Sequence, residues 1–492
     1  MKKTVIIIAL SCLFAIAGCG QYDTTAVVLT TDNLGTSNET ATLVNTDDLT
    51  ALPVNISLGG MDHPNRVLVS PDSTKAYVAS THYPDVFGKN KVQVIDVKTK
   101  AIVNTITINH DIIPPYLYDI ALNPTGTKLY IGSWSALRAY IDIYDTATMT
   151  WINGFDTDES TFSPFYVDPF RWAWKFAVHP TLDVVYVLAA NGIDAHVRAY
   201  STADGTFGTL LPGMDYSIAN SGIENFLDYK LAISPQGDLL LALSSKTFPF
   251  AINTDGSLRV LYDTNSDGIS EGIDWQANDN ATLFGKTDVL FTKTNGIIYI
   301  NSAGFHGDIL GIAINLAGGS VCMSKAKILA ENSNPYIYTL TDFIDTLLPK
   351  IVNFLGYPIV SKIIDATQLY GVTSSVMVGN TCFMFIAPIV SMETESLTIP
   401  NIMVVFNSVF TGFTPFWVGG MVTTTYANNM AVNPAKTTLC LTNKWAGSMD
   451  VWSKNPIIGW AGMKNKGIID FGEETYPWTL GMASLAKPSP QP

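Results

Sequence analysis

The sequence predicts an all-β fold, a seven-bladed β-propeller, and three observations carry that prediction. A module of roughly 50–57 residues recurs along the chain, and a period of that size accommodates three or four strands. Within each module, short runs rich in β-branched and aromatic residues alternate with turn residues, which suits half-buried pleated strands. The first run of a module typically ends in a Ser, Asn or His before proline, where the ring presets φ and stops the strand. Hydrophobic residues make up 47% of the chain and charged residues 14%, enough to build a large core.

The units follow in order. Unit one reads Arg66–Pro71, Lys75–Ser80, Val92–Asp96 and Ile102–Ile108. Unit two repeats it as Asp119–Pro124, Lys128–Ser133 and Ile141–Asp145, and unit three as Phe176–Pro180, Val184–Ala189 and Val197–Ser201. Unit four keeps Leu231–Pro235 and Leu239–Ser244. Unit five is read as Asp288–Thr292, Ile297–Ser302 and Ile309–Ile314, and unit six as Ser375–Gly379, Cys382–Ile386 and Ile402–Phe406. Unit seven recovers the pattern in Met430–Pro434, Leu439–Asn443 and Met449–Ser453. Seven units predict seven blades, with eight as the alternative. A trailing fragment, Thr479–Ser484, and the early run Val54–Leu58 are placed to close the ring in a sheet shared by both termini.

At Ser70-Pro71-Asp72, Ala76-Tyr77-Val78-Ala79 and Val92-Gln93-Val94-Ile95-Asp96 the chain resembles the YVTN family of β-propeller repeats. The resemblance covers roughly residues 55–485, is strongest in units one to three and weakest in five and six. Some propellers of this kind are lactonases with Glu, Arg and His in the channel. Arg66 and Arg171 are candidates for such a place, but no matching glutamate presents itself, so those roles are not carried over.

The N-terminus carries a different message. Lys2 and Lys3 precede an apolar run, Val5–Ala17, that is shorter than the ~20 residues a membrane span needs. Ile16-Ala17-Gly18-Cys19 resembles a bacterial lipobox, in which the cysteine is lipidated and opens the mature chain. That implies a signal peptide over residues 1–18, a membrane partner through lipid on Cys19, and an extracytoplasmic location. Gly20 lacks the aspartate associated with inner-membrane retention, which points to the outer membrane or cell surface. Residues 19–52, rich in Thr, Asn and Asp, read as a flexible tether, with Ala26–Thr30 as a potential edge strand. Residues 53–487 form the propeller.

Within it, residues 338–370 lengthen the interval between units five and six. Phe343, Ile344, Leu347, Leu348, Ile351, Val352 and Leu355 recur at helical spacing, so a helical insertion is expected there, kinked at Pro349.

Net charge is −14, which repels phosphate backbones and excludes nucleic acid as a partner. Cys322, Cys382 and Cys440 lie in or beside strand-like runs and read as buried thiols. The absence of a C-x-x-C-H motif and of a glycine-rich phosphate loop argues for no haem and no nucleotide cofactor.

Two constellations remain. Asp263, Asn265, Asp267, Glu271 and Asp274 resemble a calcium loop, with side-chain oxygens at alternating positions and Gly268 at the sharp turn; the competing reading is an Asx-rich turn between blades. The approaches to the first strands collect Arg66, Tyr118, Asp119, Arg171, Trp172, Trp174, Lys175, Tyr229, Lys230, Asn428 and Trp478. Rings beside amides and charges at one structural level suit a mouth for a protein, glycan or small-molecule ligand; the alternative is that the rings pack between blades. No catalytic set is evident. The leading expectation is a binding or scaffolding module, with a lactonase-like hydrolase using the same mouth as the alternative.

Overall fold

A computed structural model gives the architecture. It describes residues 22–32, 39–59, 61, 64–80, 91–110, 116–135, 138–156, 173–190, 195–203, 205–218, 230–243, 246–266, 268–274, 287–293, 296–302, 308–309, 312–313, 320–339, 370–388, 401–407, 415–422, 427–443, 447–455, 459–471 and 475–486. The chain folds as a β-propeller. Each of the seven repeat units forms one blade built on four antiparallel strands in chain order, and in blade 4 Ile273–Asp274 adds a fifth beside the third. Blade 1, for example, runs Arg66–Val69, Lys75–Ala79, Lys91–Asp96 and Ala101–Thr107. The first strand of each blade is innermost, and the inner strands pack side by side around the ring.

The ring is closed by both ends of the chain. Tyr22–Asp32 pairs antiparallel with the C-terminal strand Thr475–Ala486, and Thr40–Asn45 and Val54–Ser57 complete that sheet. Counted with the seven blades, this closing sheet is the eighth around the axis. Its innermost strand is the C-terminal one, packed between the inner strands of blades 7 and 1. The run Thr479–Ser484 and the early strand at Val54 therefore meet in one sheet, as the sequence suggested.

The tether is shorter than the sequence implied. Residues 22–32 and 40–45, assigned to it, are strands of the closing sheet. The reason lies in Ala26-Val27-Val28-Leu29, all at 0% exposure: these side chains are small and β-branched enough to be packed on both faces. The threonines beside them satisfy one another, Thr30 Oγ1 lying 2.6 Å from Thr40 Oγ1. A polar composition thus masks a buried strand.

Unit five differs as well. Its third strand is Ser320–Ser324, paired with Ile297–Ser302, whereas Asp308–Ile309 and Ile312–Ala313 make a separate small hairpin. Cys322, at 2% exposure, sits in that true third strand. The expected helical insertion falls outside the described residues apart from its ends, which belong to the strands Tyr336–Thr339 and Tyr370–Val378. Among the described residues the one helix is Lys325–Leu329, capped by Ser324 after the third strand of blade 5.

One device recurs at the hairpin between first and second strands. The residue before the turn accepts the backbone N–H five positions on. Ser70 Oγ takes Lys75 N–H at 3.0 Å, Asn123 Oδ1 takes Lys128 N–H at 2.9 Å, and Thr292 Oγ1 takes Ile297 N–H at 2.8 Å. Ser234 and Asn433 do the same for Leu239 and Thr438. Such side-chain acceptors fix a turn that the proline alone leaves loose.

These turns also abut. A Cβ on Gly126, whose φ is +71°, would meet Pro71 of the preceding blade at 2.5 Å. One on Gly237, φ +73°, would meet the His179 ring at 2.6 Å. Inside, strand-two tyrosines Tyr77, Tyr130, Tyr186 and Tyr299 are all nearly inaccessible, and Tyr186 donates its hydroxyl to Gly256 O of the next blade at 2.9 Å.

His179 plays the turn role with a ring nitrogen. Nδ1 accepts from Thr181 and Leu182 N–H at 3.1 and 2.8 Å, while Nε2–H donates to Gly237 O at 3.0 Å. Burial pulls its pKa below the ordinary 6.5, with the Gly237 carbonyl opposing in part. The unfolded chain therefore takes up the proton first. The stability contributed by neutral His179 is present above the unfolded pKa and is lost as pH falls through the lowered folded one. We expect His179→Asn, the residue used at 123 and 433, to fold normally and to flatten the pH dependence of urea unfolding in this range. His179→Ala should cost about 1–3 kcal/mol by orphaning the turn N–H groups.

Candidate functional site

Antiparallel order fixes which end of the ring is open. Inner strands begin at one end and finish in the tight turns just described, so every connection into an inner strand lies at the opposite end from those turns. The connections between second and third strands lie there too. The longest connections, residues 157–172, 261–286, 303–319, 340–369 and 389–400, all join strand ends on that side. Scaffolds commonly carry binding groups on such loops.

Inner strands start at this mouth. Four residues before the turn residue stand Arg66 in blade 1, Asp119 in blade 2, Lys175 in blade 3, Lys230 in blade 4 and Asn429 in blade 7; this position opens the inner strand in blades 1 and 4 and lies two or three residues into it in blades 2, 3 and 7. Arg66 and Asp119 are brought together: Nε of Arg66 lies 3.2 Å from Asp119 Oδ1. The arginine side chain is 42% exposed and the aspartate 15%. The same Oδ1 accepts Ile120 N–H at 3.0 Å. Asn429 repeats that contact, its Oδ1 accepting Met430 N–H at 2.9 Å.

Both side chains follow a register shift in the inner strand, between Leu117 and Asp119 and between Ala427 and Asn429. A bulge of this kind re-aims the next side chain. It also explains why the sequence pointed to Asn428 where the structure puts Asn429 at the register position.

Tyr118, at the first bulge, packs against the apolar cluster shared by blades 2 and 3, with Tyr130, Ile141 and Phe176. Desolvation pushes its phenol well above the ordinary tyrosine value, so it stays neutral. For this ring the inter-blade alternative holds. Lys175 and Lys230 are half-buried at their register positions. Trp174, Asn428 and Trp478 lie on the strands Ala173–Val178, Ala427–Val432 and Thr475–Ala486. Arg171, Trp172, Tyr229 and Cys19 lie outside the described residues.

A second buried position, three residues before the end of the third strand, anchors the approach to the mouth. Gln93 donates Nε2–H to Leu58 O at 2.6 Å, holding the connection into blade 1. Asp142, 1% exposed, stands at the same place in blade 2. It pairs with His110 Nε2 at 2.6 Å, on the connection into blade 2, and accepts Trp151 Nε1–H at 3.0 Å. His110 stacks on Tyr140 with ring centroids 4.1 Å apart. Sequence reasoning missed this cluster because its members are far apart in the chain; alignment of the repeats on Asp96 and Asp145 would have flagged the polar Gln93 and Asp142.

The acidic loop closes on itself. Asp263 Oδ2 accepts Gly268 N–H at 2.9 Å, and Glu271 Oε2 accepts Thr264 N–H at 2.8 Å. Ser270 is fully buried and its backbone bridges Ile218 at the end of blade 3. Asn265 is exposed, Asp267 lies outside the described residues, and Asp274 ends a short strand beside Lys246. Among the described residues no group of three metal-ligating side chains converges.

The propeller is thus the class of protein defined here. No protein-family model matches the chain, and no curated protein matches it. Solved structures share its course at low identity. A candidate 6-phosphogluconolactonase from Bacteroides fragilis is 12% identical, with 94% of this chain and 98% of that one covered and a TM-score of 0.45. One from Bacteroides uniformis is 13% identical, covering 94% and 99%, with a TM-score of 0.43. Dihydro-heme d1 dehydrogenase NirN is 10% identical, covering 92% and 76%, with a TM-score of 0.48.

Asp119 offers a direct test. We expect Asp119→Asn to unfold in urea much like the wild type, since Asn429 makes the same backbone contact and the half-exposed Arg66 pair contributes at most about 1 kcal/mol. Asp119→Ala, which removes the acceptor of Ile120 N–H, should lower stability by about 1 kcal/mol or slightly more.

Proposed function

We propose that this chain is a lipid-anchored, extracytoplasmic binding propeller that receives its ligand at the end where the inner strands begin. The observation that carries the reading is the asymmetry of the ring. One end is closed by short turns whose polar groups are satisfied within the turn; the other gathers the long connections and the charged residues Arg66, Asp119, Lys175 and Lys230. Charges held on rigid strands beneath adaptable loops suit recognition of a polar ligand. The lipobox at Cys19 supports the anchoring half of the reading. Dual acylation there would hold the ring to a bilayer without a spanning helix.

A lactonase-like hydrolase using the same mouth is the second reading, and the Arg66–Asp119 pair, a cation and a carboxylate in contact at the mouth, is its footing. Two measurements separate these ideas. Cys19→Ser should move the protein from the membrane to the soluble fraction and abolish labelling by a fatty-acid precursor; retention and labelling of the variant would refute the anchor. A calorimetric screen of sugars, peptides and lactones should yield a ligand whose affinity falls at least about tenfold in Arg66→Ala. Turnover of a lactone, lost in Asp119→Asn, would favour the hydrolase, and a ligand indifferent to the mouth would remove both readings.

A further inference from the structure

We infer that the turn end of the ring, over the closing sheet and blades 1 to 3, rests on the surface of a lipid bilayer and directs the mouth away from it. This inference rests on the lipid anchor of the reading above and adds the orientation in which that anchor holds the ring.

Orientation follows from strand direction. Tyr22–Asp32 is the second strand of the closing sheet, antiparallel to the inner strand Thr475–Ala486, with Tyr22 opposite Ala486. Inner strands finish at the turns, so Tyr22 lies at the turn end and Asp32 at the mouth. Two residues, Gly20 and Gln21, separate Tyr22 from Cys19. At about 3.3–3.6 Å per residue, a lipid on Cys19 sits within roughly 10 Å of Tyr22. The strand itself spans 11 residues, which sets the mouth about 30 Å further from the anchor.

Exposed apolar side chains gather at the same end. Among the described residues the large ones are Leu52, Val103, Trp151, Ile152, Leu210 and Ile468. Leu52, 88% exposed, lies in the turn between Thr40–Asn45 and Val54–Ser57, at the turn end of the closing sheet. Trp151 and Leu210 open the outermost strands of blades 2 and 3, which start from that end, and Ile152 follows Trp151. Val103 is the third residue of the outermost strand of blade 1. All but Ile468 therefore stand in the turn half of the outer rim, on four successive sheets that share their cores pairwise. Single exposed apolar groups are ordinary on a protein surface; a one-sided arc of them beside the exit of an acyl anchor suits the headgroup boundary of a bilayer.

The chemistry of the arc fits that boundary. Trp151 donates its indole N–H inward to the buried Asp142 carboxylate at 3.0 Å, while the ring is 55% exposed. Its outer face can enter an apolar phase without stranding a donor. The carboxylates of these turns are engaged by the turns themselves. Asp48, Asp96 and Asp145 accept the backbone N–H groups of Thr50, Thr99 and Thr148 at 3.0, 2.6 and 2.7 Å. Lys98, exposed in the blade 1 turn, offers an ammonium to anionic headgroups.

The test uses the full-length lipidated protein reconstituted into vesicles of phosphatidylethanolamine and phosphatidylglycerol. Cys322, Cys382 and Cys440 are buried, so a fluorophore can be attached to the one introduced thiol of Leu52→Cys, Ile152→Cys or Ile468→Cys. Ile468 is the control, exposed near the mouth end of the outermost strand of blade 7. A quencher carried on a phospholipid acyl chain should quench the label at 52 and 152 at least about twice as strongly as at 468. Equal quenching at all three sites, or stronger quenching at 468, would overturn the inference. Vesicle flotation of the wild type and of Cys19→Ser keeps the two readings apart. Flotation that depends on Cys19, with no quenching at 52 or 152, would leave the anchor standing and overturn the orientation. Failure of the wild type to float would remove the anchor and the inference together. Spectral shifts at 52 and 152 that rise with protein concentration and ignore the quencher would assign the arc to a second copy of this chain, against the inference.

Discussion

Pairing between the first and last strands of the chain is the constraint on which the ring depends. Seven blades made from contiguous chain leave two exposed flanks, one on blade 1 and one on blade 7, each with an apolar face. The closing sheet covers both. Its side chains join one cluster with Ala76, Val78 and Ile95 of blade 1 and another with Cys440, Met449 and Val451 of blade 7. Bringing ends so distant together is less costly than the separation suggests, because loop-closure entropy grows only as the logarithm of length, about 0.6 kcal/mol per doubling. An antiparallel ladder from Tyr22 opposite Ala486 to Asp32 opposite Thr475, with Ala26 to Leu29 wholly buried, outweighs that term. Closure also covers the two apolar faces that an open array would leave exposed to aggregation.

How much of this was legible follows from which signals are local. The turn before each second strand is local: a side-chain oxygen taking an amide five residues on, or at His179 a ring nitrogen taking the amides two and three residues on, with a proline beside it. It was readable at Ser70, Asn123, His179, Ser234 and Asn433, and the blades followed from it. Thr292 keeps the hydrogen bond without the proline, which is why unit five was the hard one to place. There the run Ile309–Ile314 looked more strand-like than Ser320–Ser324, and yet the latter pairs with Ile297–Ser302. Propensity alone does not decide between two candidate strands when the partner is fixed elsewhere; burial of Cys322 and Met323 against the neighbouring elements does.

The N-terminal strands were obscured for a related reason. Thr24, Thr25, Thr30 and Thr42 are buried, and a composition count scores them as solvent-loving. Their hydroxyls bond across strands, Thr42 Oγ1 reaching Asn55 Oδ1 at 2.9 Å, so the polar groups cost little inside. The mouth was legible in part. Charges before the first strands could be seen in sequence, but which of them share a level depended on bulges at 117–119 and 427–429 that no local rule announced. Gln93 and Asp142 stand out as a pair only when the repeats are aligned on Asp96 and Asp145.

The two ends of the ring are therefore under different physical rules. At the turn end, the hairpins at Ser70, Asn123, Ser234, Thr292 and Asn433 use their own side chain to satisfy their own backbone, and in blades 2 and 4 a glycine lies against the preceding blade, Gly126 on Pro71 and Gly237 on His179. An inserted residue there would break a hydrogen bond and a packing contact together. At the mouth, the connections are tied down at single buried points, Leu58 to Gln93 and His110 to Asp142, while the chain between those points and the next strand is free to vary in length. A buried polar tether of this sort holds a loop in place without prescribing what the loop carries. The repeat can then keep its strands and turns constant around the axis while the mouth accepts connections as different as residues 136–137 and 340–369. Under the proposed binding function, specificity would reside in side chains carried by the inner strands, Arg66 and Asp119 among them, because their positions are set by the strand registers and bulges of the ring and not by the loops above them.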